Sequence, residues 1–254
     1  MRLDQYLVLK GYYASREKSQ FAIKKGDVMV DDKVILKPSF EVLEPKITIL
    51  FDSCPYVSHG GLKLERAITA FKLDFKDKVV LDIGASTGGF TDCSLAFGAK
   101  TCVSVDVGSN QLAPKLLNDE RVIPFEKTNI TDLELKMHFD YLVMDVSFVS
   151  IKKIIPHLLK WLDATNYLIC LIKPQFELGK VKLKNGVVRD PKIHFAVVTD
   201  LFAFFKSVGL YVHNFTYSPQ RGKTGNLEFL VLLSKKEFFY KDNIKEIINN
   251  AHKM

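Results

Sequence analysis

Val79-Val80-Leu81-Asp82-Ile83-Gly84-Ala85-Ser86-Thr87-Gly88-Gly89-Phe90-Thr91 is the stretch on which the fold turns. A short apolar run with a carboxylate near its end reads as a buried strand. The glycines read as a tight turn, and Gly89-Phe90-Thr91 as the start of a helix. Glycine permits positive φ and lets backbone approach a ligand closely. Ala85-Ser86 occupies the place where a G-x-G-x-x-G dinucleotide fingerprint needs its second glycine, so a nicotinamide enzyme is disfavoured. A carboxylate at the strand end suits a positively charged ligand better than a pyrophosphate.

Outward from this turn, the texture from residue 78 is an alternation of apolar strands and amphipathic helices, as in a parallel α/β sheet. Strands are predicted at 79–83, 101–106, 141–145, 167–172, 211–217 and 227–233, and helices at 89–97, 110–117, 151–162 and 191–208. Asp106 ends the second strand, where a carboxylate can accept both hydroxyls of a ribose. Asn129 comes after a third strand, where an amide can meet an adenine edge. Lys63 enters a helix before the first strand, Asp145 ends the fourth, Lys173 ends the fifth, and Glu228 lies in a late one. Ligands of open α/β sheets bind beyond the carboxyl ends of the strands, so Asp145 and Lys173 are expected to meet over the glycine loop. Taken singly, each of these four reads as readily as a surface lysine, a cap or a solvated strand residue.

The first 45 residues read differently. Leu3, Tyr6 and Leu7 give a short amphipathic helix; Ser15 caps a second helix that stops at Gly26; Val28-Met29-Val30, Asp31-Asp32 and Val34-Ile35 give a hairpin. Residues 1–26 hold six basic side chains (Arg2, Lys10, Arg16, Lys18, Lys24, Lys25) against Asp4 and Glu17. The plain reading is a solvated helix face; the sharper one is a surface for phosphates. The organisation expected is 1–45, a 46–58 strand and linker, an α/β domain at 59–240, and a polar helix or tail at 241–254.

Composition narrows the classes. The chain has 254 residues, 47% hydrophobic, with 36 Lys+Arg against 29 Asp+Glu and a net charge of +7. That excludes a disordered chain and favours a polyanionic partner. Cys54, Cys93, Cys102 and Cys170 form no C-x-x-C pair, so neither a metal centre nor a disulfide framework is expected. No signal peptide and no apolar run of membrane length is visible, which points to a cytoplasmic protein with no membrane partner.

Arg2-Leu3-Asp4, Ser15-Arg16-Glu17-Lys18 and Gly26-Asp27-Val28-Met29-Val30-Asp31 resemble the S-four-type RNA-binding domain. The loop D-x-G-x-x-x-G-G resembles that of S-adenosylmethionine-dependent methyltransferases. The order Lys63, Asp145, Lys173, Glu228 resembles the FtsJ-like ribose 2′-O-methyltransferases. Together with Gly60-Gly61-Leu62-Lys63-Leu64, Lys173-Pro174-Gln175-Phe176-Glu177 and Gly186-Val187-Val188-Arg189-Asp190-Pro191, the chain resembles the TlyA family, named after haemolysins. His59 stands where that family usually has Arg.

The resemblance implies a Rossmann-like methyltransferase sheet of α/β class, with a small N-terminal α+β RNA-binding domain. It implies S-adenosylmethionine as cofactor, with Asp82, Gly84, Ala85, Ser86, Thr87, Gly88, Gly89, Phe90, Asp106, Asn129 and Asp145 around it. The activity implied is cytidine 2′-O-methylation of ribosomal RNA, linked to capreomycin sensitivity. The start at Arg2-Leu3-Asp4 resembles the shorter members, which act on the large subunit. The RNA contacts expected are Arg2, Arg16, Lys18, Lys24 and Lys25, and, on two later basic loops, Lys180, Lys182, Arg189 and Arg221.

A ribose hydroxyl needs a base to become a nucleophile, and an ordinary lysine is protonated at neutral pH. Burial and a neighbouring ammonium are the forces that change this. Lys173 is thus expected as the base, with Lys63 beside it and on the target nucleotide. Asp145 is expected to orient Lys173, and Glu228 to orient the lysines or the ribose. A non-catalytic RNA-binding protein on the same fold is the alternative. A haemolysin is disfavoured, since the sequence holds no apolar span or strong amphipathic membrane helix.

Overall fold

Successive residues of a strand point to opposite faces, so strands that are apolar throughout must be covered on both sides. The computed structural model, which describes residues 1–254 apart from Ala14, 50–53, 180–183, Lys223 and the side chain of Lys184, meets that demand with two helical layers. It divides into two units, Met1–Pro55 and Tyr56–Met254.

In the first unit, α1 (Leu3–Leu9) and α2 (Arg16–Lys25) pack beside the strands β1 (Val28–Val30), β2 (Lys33–Val34) and β3 (Ile47–Ile49), whose order is β2-β1-β3. Ser15 Oγ accepts from Lys18 N at 3.3 Å and Gly26 ends α2 at φ +86, as the capping pattern predicts. The Asp31-Asp32 pair turns the hairpin with both residues at positive φ. Leu3, Leu7, Ile23, Val28, Val30 and Val42 form the small core. Because β3 pairs with β1 (Val28↔Ile49), this unit runs past the expected boundary at 45. Residues 50–53 of the expected linker lie outside the described residues.

The second unit contains α3 (Gly60–Phe71), β4 (Val79–Ile83), α4 (Gly89–Ala96), β5 (Thr101–Val105), α5 (Pro114–Leu117), β6 (Val122–Phe125), β7 (Tyr141–Met144), α6 (Ile151–Leu158), β8 (Tyr167–Ile172), α7 (Pro174–Glu177), α8 (Pro191–Ser207), β9 (Tyr211–Tyr217), β10 (Phe229–Ser234) and α9 (Ile244–His252). The sheet order is β6-β5-β4-β7-β8-β10-β9. The first five strands are parallel, and β10 runs antiparallel to both its neighbours. Alternate residues serve alternate cores. Leu81, Ile83, Val103, Leu142, Met144, Leu168 and Cys170 pack with α6, α8 and α9. Val80, Cys102, Val143, Ile169, Leu171 and Leu230 pack with α3, α4 and α5.

The segment 241–254, expected as a polar helix or tail, carries the helix α9, docked through Ile248 and Ala251, which are buried in the main core. One expectation changes. The helix expected over 110–117 is only one turn, because the Glu126 carboxylate takes the N–H groups of Asn110 (2.9 Å) and Gln111 (3.0 Å) and Asn110 sits at φ +54. From β4 the chain winds outward through β5 to β6, then returns to place β7 on the other side of β4. The loops after β4 and β7 therefore part in opposite directions, which opens the crevice where doubly wound sheets bind ligands.

Candidate active site

The loop after β4 forms one wall of this crevice. Gly84 has φ +80, and a Cβ there would lie 2.7 Å from the Asp145 carbonyl oxygen, so only glycine lets the β4 and β7 loops come this close. The loop's amides turn inward: Gly84 and Ala85 donate to Val105 O, Gly88 to Ala85 O, and Ser86 to Asp106 Oδ2 at 2.8 Å. Such a loop offers less to a phosphate than a P-loop does.

Of the expected cofactor residues, Gly84, Ser86 and Thr87 retain accessible surface, while Ala85 and Phe90 are packed in the core. Gly88 and Gly89 are glycine for packing: side chains there would strike Leu116 and Leu112, and Ser58 and the α3 backbone, respectively. Asp82 is fully buried. Its Oδ2 accepts from Thr91 at 2.7 Å and its Oδ1 has no hydrogen-bond partner. With no accessible surface, this carboxylate presents no atom to the crevice. Burial pushes this carboxyl up to about 7, opposed by the Thr91 hydrogen bond and reinforced by Asp145 and Asp106. Asp106 is half-buried and also accepts from Gly108 N at 2.7 Å. Asn129 is exposed, and its Oδ1 accepts from Thr131 N.

The four expected catalytic side chains converge. Asp145 comes directly after β7 and Lys173 directly after β8. Glu228 precedes β10, and since β10 runs against β8 (Phe229↔Ile172) its start lies at the same end of the sheet. Lys63 comes in from the first turn of α3. They alternate in charge. Glu228 Oε2 is 2.6 Å from Lys63 Nζ, Lys63 Nζ is 4.0 Å from Asp145 Oδ2, and Asp145 Oδ1 is 2.5 Å from Lys173 Nζ. Their side chains keep only 4 to 19% of their surface. Burial alone lowers the Lys63 pKa, but the charges of Asp145 and Glu228 outweigh it and hold Lys63 above the usual lysine value. Lys173 Nζ also donates to Ser147 Oγ at 2.7 Å and lies 5.9 Å from the Phe176 ring centroid.

The basic surface is more structured than a charge count suggests. Asp4, fully buried, accepts from Arg2 Nε (3.0 Å), Arg16 Nε (2.9 Å) and Gln20 Nε2 (2.6 Å). The Arg2 hydrogen bond, against the effect of burial, holds its carboxyl far below the usual carboxylate range. Lys18, Lys24, Lys25, Arg189 and Arg221 are exposed. Lys25 is 3.6 Å from Asp27, and Arg221 reaches Gly225 O. Lys180 and Lys182 lie outside the described residues.

The FtsJ-like methyltransferase family model matches residues 56–235, and an S4 domain model matches residues 1–44. A 16S/23S rRNA (cytidine-2′-O)-methyltransferase, TlyA of Mycobacterium tuberculosis, is 35% identical over 91% of this chain and 89% of the relative. This chain belongs to the TlyA family of FtsJ-like methyltransferases. A 23S rRNA (cytidine-2′-O)-methyltransferase, TlyA of Campylobacter jejuni, is 32% identical over 90% of this chain and 97% of its own length. A hemolysin-like protein of Streptococcus thermophilus superposes with a TM-score of 0.80 at 37% identity, covering 100% of this chain and 96% of that one.

Within this FtsJ-like site, three polar residues escaped sequence reasoning. Ser147 holds Lys173. Glu177 accepts from Ser150 Oγ (2.6 Å) and Ile151 N (3.0 Å), tying the loop after β7 to the segment after Lys173. Asn226, fully buried, accepts from Val188 N and donates to Gly186 O, each at 2.9 Å, joining two loops near Glu228. The usable signal was position: each stands two to four residues from a charged residue already singled out. Among the described residues, no three His, Cys, Asp or Glu side chains are grouped to hold a metal ion, and no helix is long and apolar enough to cross a membrane.

Proposed function

We propose that this chain methylates the 2′-hydroxyl of cytidine in ribosomal RNA, with S-adenosylmethionine as donor. The observation that carries the reading is the alternating Glu228–Lys63–Asp145–Lys173 chain beside the glycine loop. The crevice fits a cationic cofactor. Asp106 keeps unshared lone pairs for a ribose, and Asp106 and Asp145 contribute negative charge around the loop. The bound cofactor supplies an electrophilic methyl group. Lys173 takes the proton from the 2′-oxygen as that oxygen attacks, Asp145 orients Lys173, and Lys63, held by Glu228, binds the nucleotide's phosphate or hydroxyl. Holding the nucleophile in line with the methyl supplies much of the acceleration.

The exposed basic residues on α2 (Lys18, Lys24, Lys25), the Asp4-held Arg2 and Arg16, and Arg189 and Arg221 form the RNA contacts, with Lys180 and Lys182 assigned by sequence alone. A target nucleotide in a paired or stacked setting is flipped out to reach the site. Both TlyA relatives have 23S rRNA in their names and one has 16S rRNA as well, which supports large-subunit RNA as the favoured substrate with small-subunit RNA as a second one. Methylated ribosomes are then the capreomycin-sensitive ones.

The test is transfer of labelled methyl from S-adenosylmethionine to isolated large subunits, small subunits and naked rRNA. Label in large subunits, lost in Lys173→Ala while cofactor binding persists, is the expected result. Undiminished transfer by Lys173→Ala would sink the assignment of the base, and no transfer despite cofactor binding would return the chain to the non-catalytic reading.

A further inference from the structure

We infer that Ser147 is a positioning residue that sets the direction of the Lys173 lone pair; the inference rests on Lys173 being the base. A neutral amine has two N–H bonds and one lone pair on a nitrogen free to turn about its Cε–Nζ bond. What it offers the ribose hydroxyl depends on where that rotor stops. Asp145 Oδ1, at 2.5 Å, supplies charge, yet that oxygen has no hydrogen-bond donor in line with it. The aligned hydrogen bond from Lys173 Nζ goes to Ser147 Oγ, at 2.7 Å. With one hydrogen fixed on Ser147 and the other drawn toward the Asp145 carboxylate, the lone pair is left in the remaining tetrahedral direction.

Ser147 is exposed, but its backbone is not adrift. The loop that carries it is bonded at one end through Asp145 N to Ile83 O (3.1 Å) and at the other through Ser150 and Ile151 to Glu177. A serine on a solvated loop has no packing role to lose, so its replacement isolates the hydrogen bond.

Ser147→Ala is compared with Ser147→Thr, which keeps the oxygen, in steady-state transfer of methyl to large ribosomal subunits. The expected result is a kcat lowered about tenfold or more, within the range that a general base contributes. KM for S-adenosylmethionine and for subunits stays unchanged, as does the melting temperature, and Ser147→Thr recovers most of the loss. A wild-type kcat in Ser147→Ala would overturn the inference, as would a raised KM with kcat intact, since that would make Ser147 an RNA contact. Full transfer by Lys173→Ala, run alongside, would instead overturn the assignment of the base.

Discussion

Asp82 shows at the scale of one residue how the site holds charge. Its carboxyl is without accessible surface and is pushed up to about 7, by burial first and then by Asp145 and Asp106, from the 3.8 of a free carboxylate. In the unfolded chain it ionises near 3.8. Between there and about 7, the unfolded state gives up a proton that the folded state keeps. Stability therefore falls as pH rises through that window, by a total on the order of a few kcal/mol. Asp82→Asn removes this slope. Urea unfolding of both proteins at about pH 5, 6, 7 and 8 is expected to show a wild type losing stability relative to the variant; parallel pH curves would refute the buried, partly protonated carboxyl. The residues at strand ends were legible in the sequence, because a charge at the end of an apolar run stands out against its pattern. Their depth was not: Asp82 and Asp106 look alike in sequence, yet one is fully buried against Thr91 and the other is half-buried, holding the Ser86 and Gly108 amides.

At the scale of elements, α3 and α4 bring Lys63 into the site by crossing closely. A Cβ on Gly89 would lie 2.3 Å from Ser58 Oγ, 2.9 Å from Gly61 N and 3.1 Å from Gly60 Cα, and the last two are backbone that cannot swing aside. Gly89→Ala is expected to lower stability by about 1–3 kcal/mol through overpacking. Because Gly89 ends the glycine loop and also faces α3, which carries Lys63, both kcat and cofactor affinity should fall. Thermal melts and cofactor titrations check this; a variant with wild-type melting and turnover would contradict the crossing. β4, β8 and β9 coincide with their sequence expectations to the residue, because continuous apolar runs bounded by turn residues leave few alternatives. α5 and α9 did not. The carboxylate of Glu126, fourteen or more residues away, decides the first, and burial of Ile248 and Ala251 against α8 and the sheet decides the second. Neither partner is visible in a local window.

For the whole molecule, a net charge of +7 makes a polyanionic partner reasonable without saying what reads it. Asp4 separates charge from arrangement. Replacing it with Ala raises the net charge by one, so if charge alone governed RNA binding the affinity would rise. If Asp4 instead holds the Arg2 and Arg16 guanidinia ready for phosphates, affinity falls, on the order of tenfold, despite the added charge. Filter binding of rRNA fragments at fixed salt distinguishes the two, and an unchanged or tighter complex would refute the preorganised pair. The two-unit organisation and the methyltransferase sheet could be read from motif order. The meeting of Asp145 with Lys173, and of Glu228 with a lysine, could be expected from strand ends and motif order as well; the hold on Lys173 by Ser147 could not, because side-chain pairing across loops leaves no periodic trace.

The most direct test of the account is nucleoside analysis by mass spectrometry of rRNA from large subunits treated with the protein and S-adenosylmethionine. The account predicts new 2′-O-methylcytidine, stable to alkaline cleavage, that is absent after treatment with Lys173→Ala. A methyl group on a base, or equal 2′-O-methylcytidine from the variant, would contradict it.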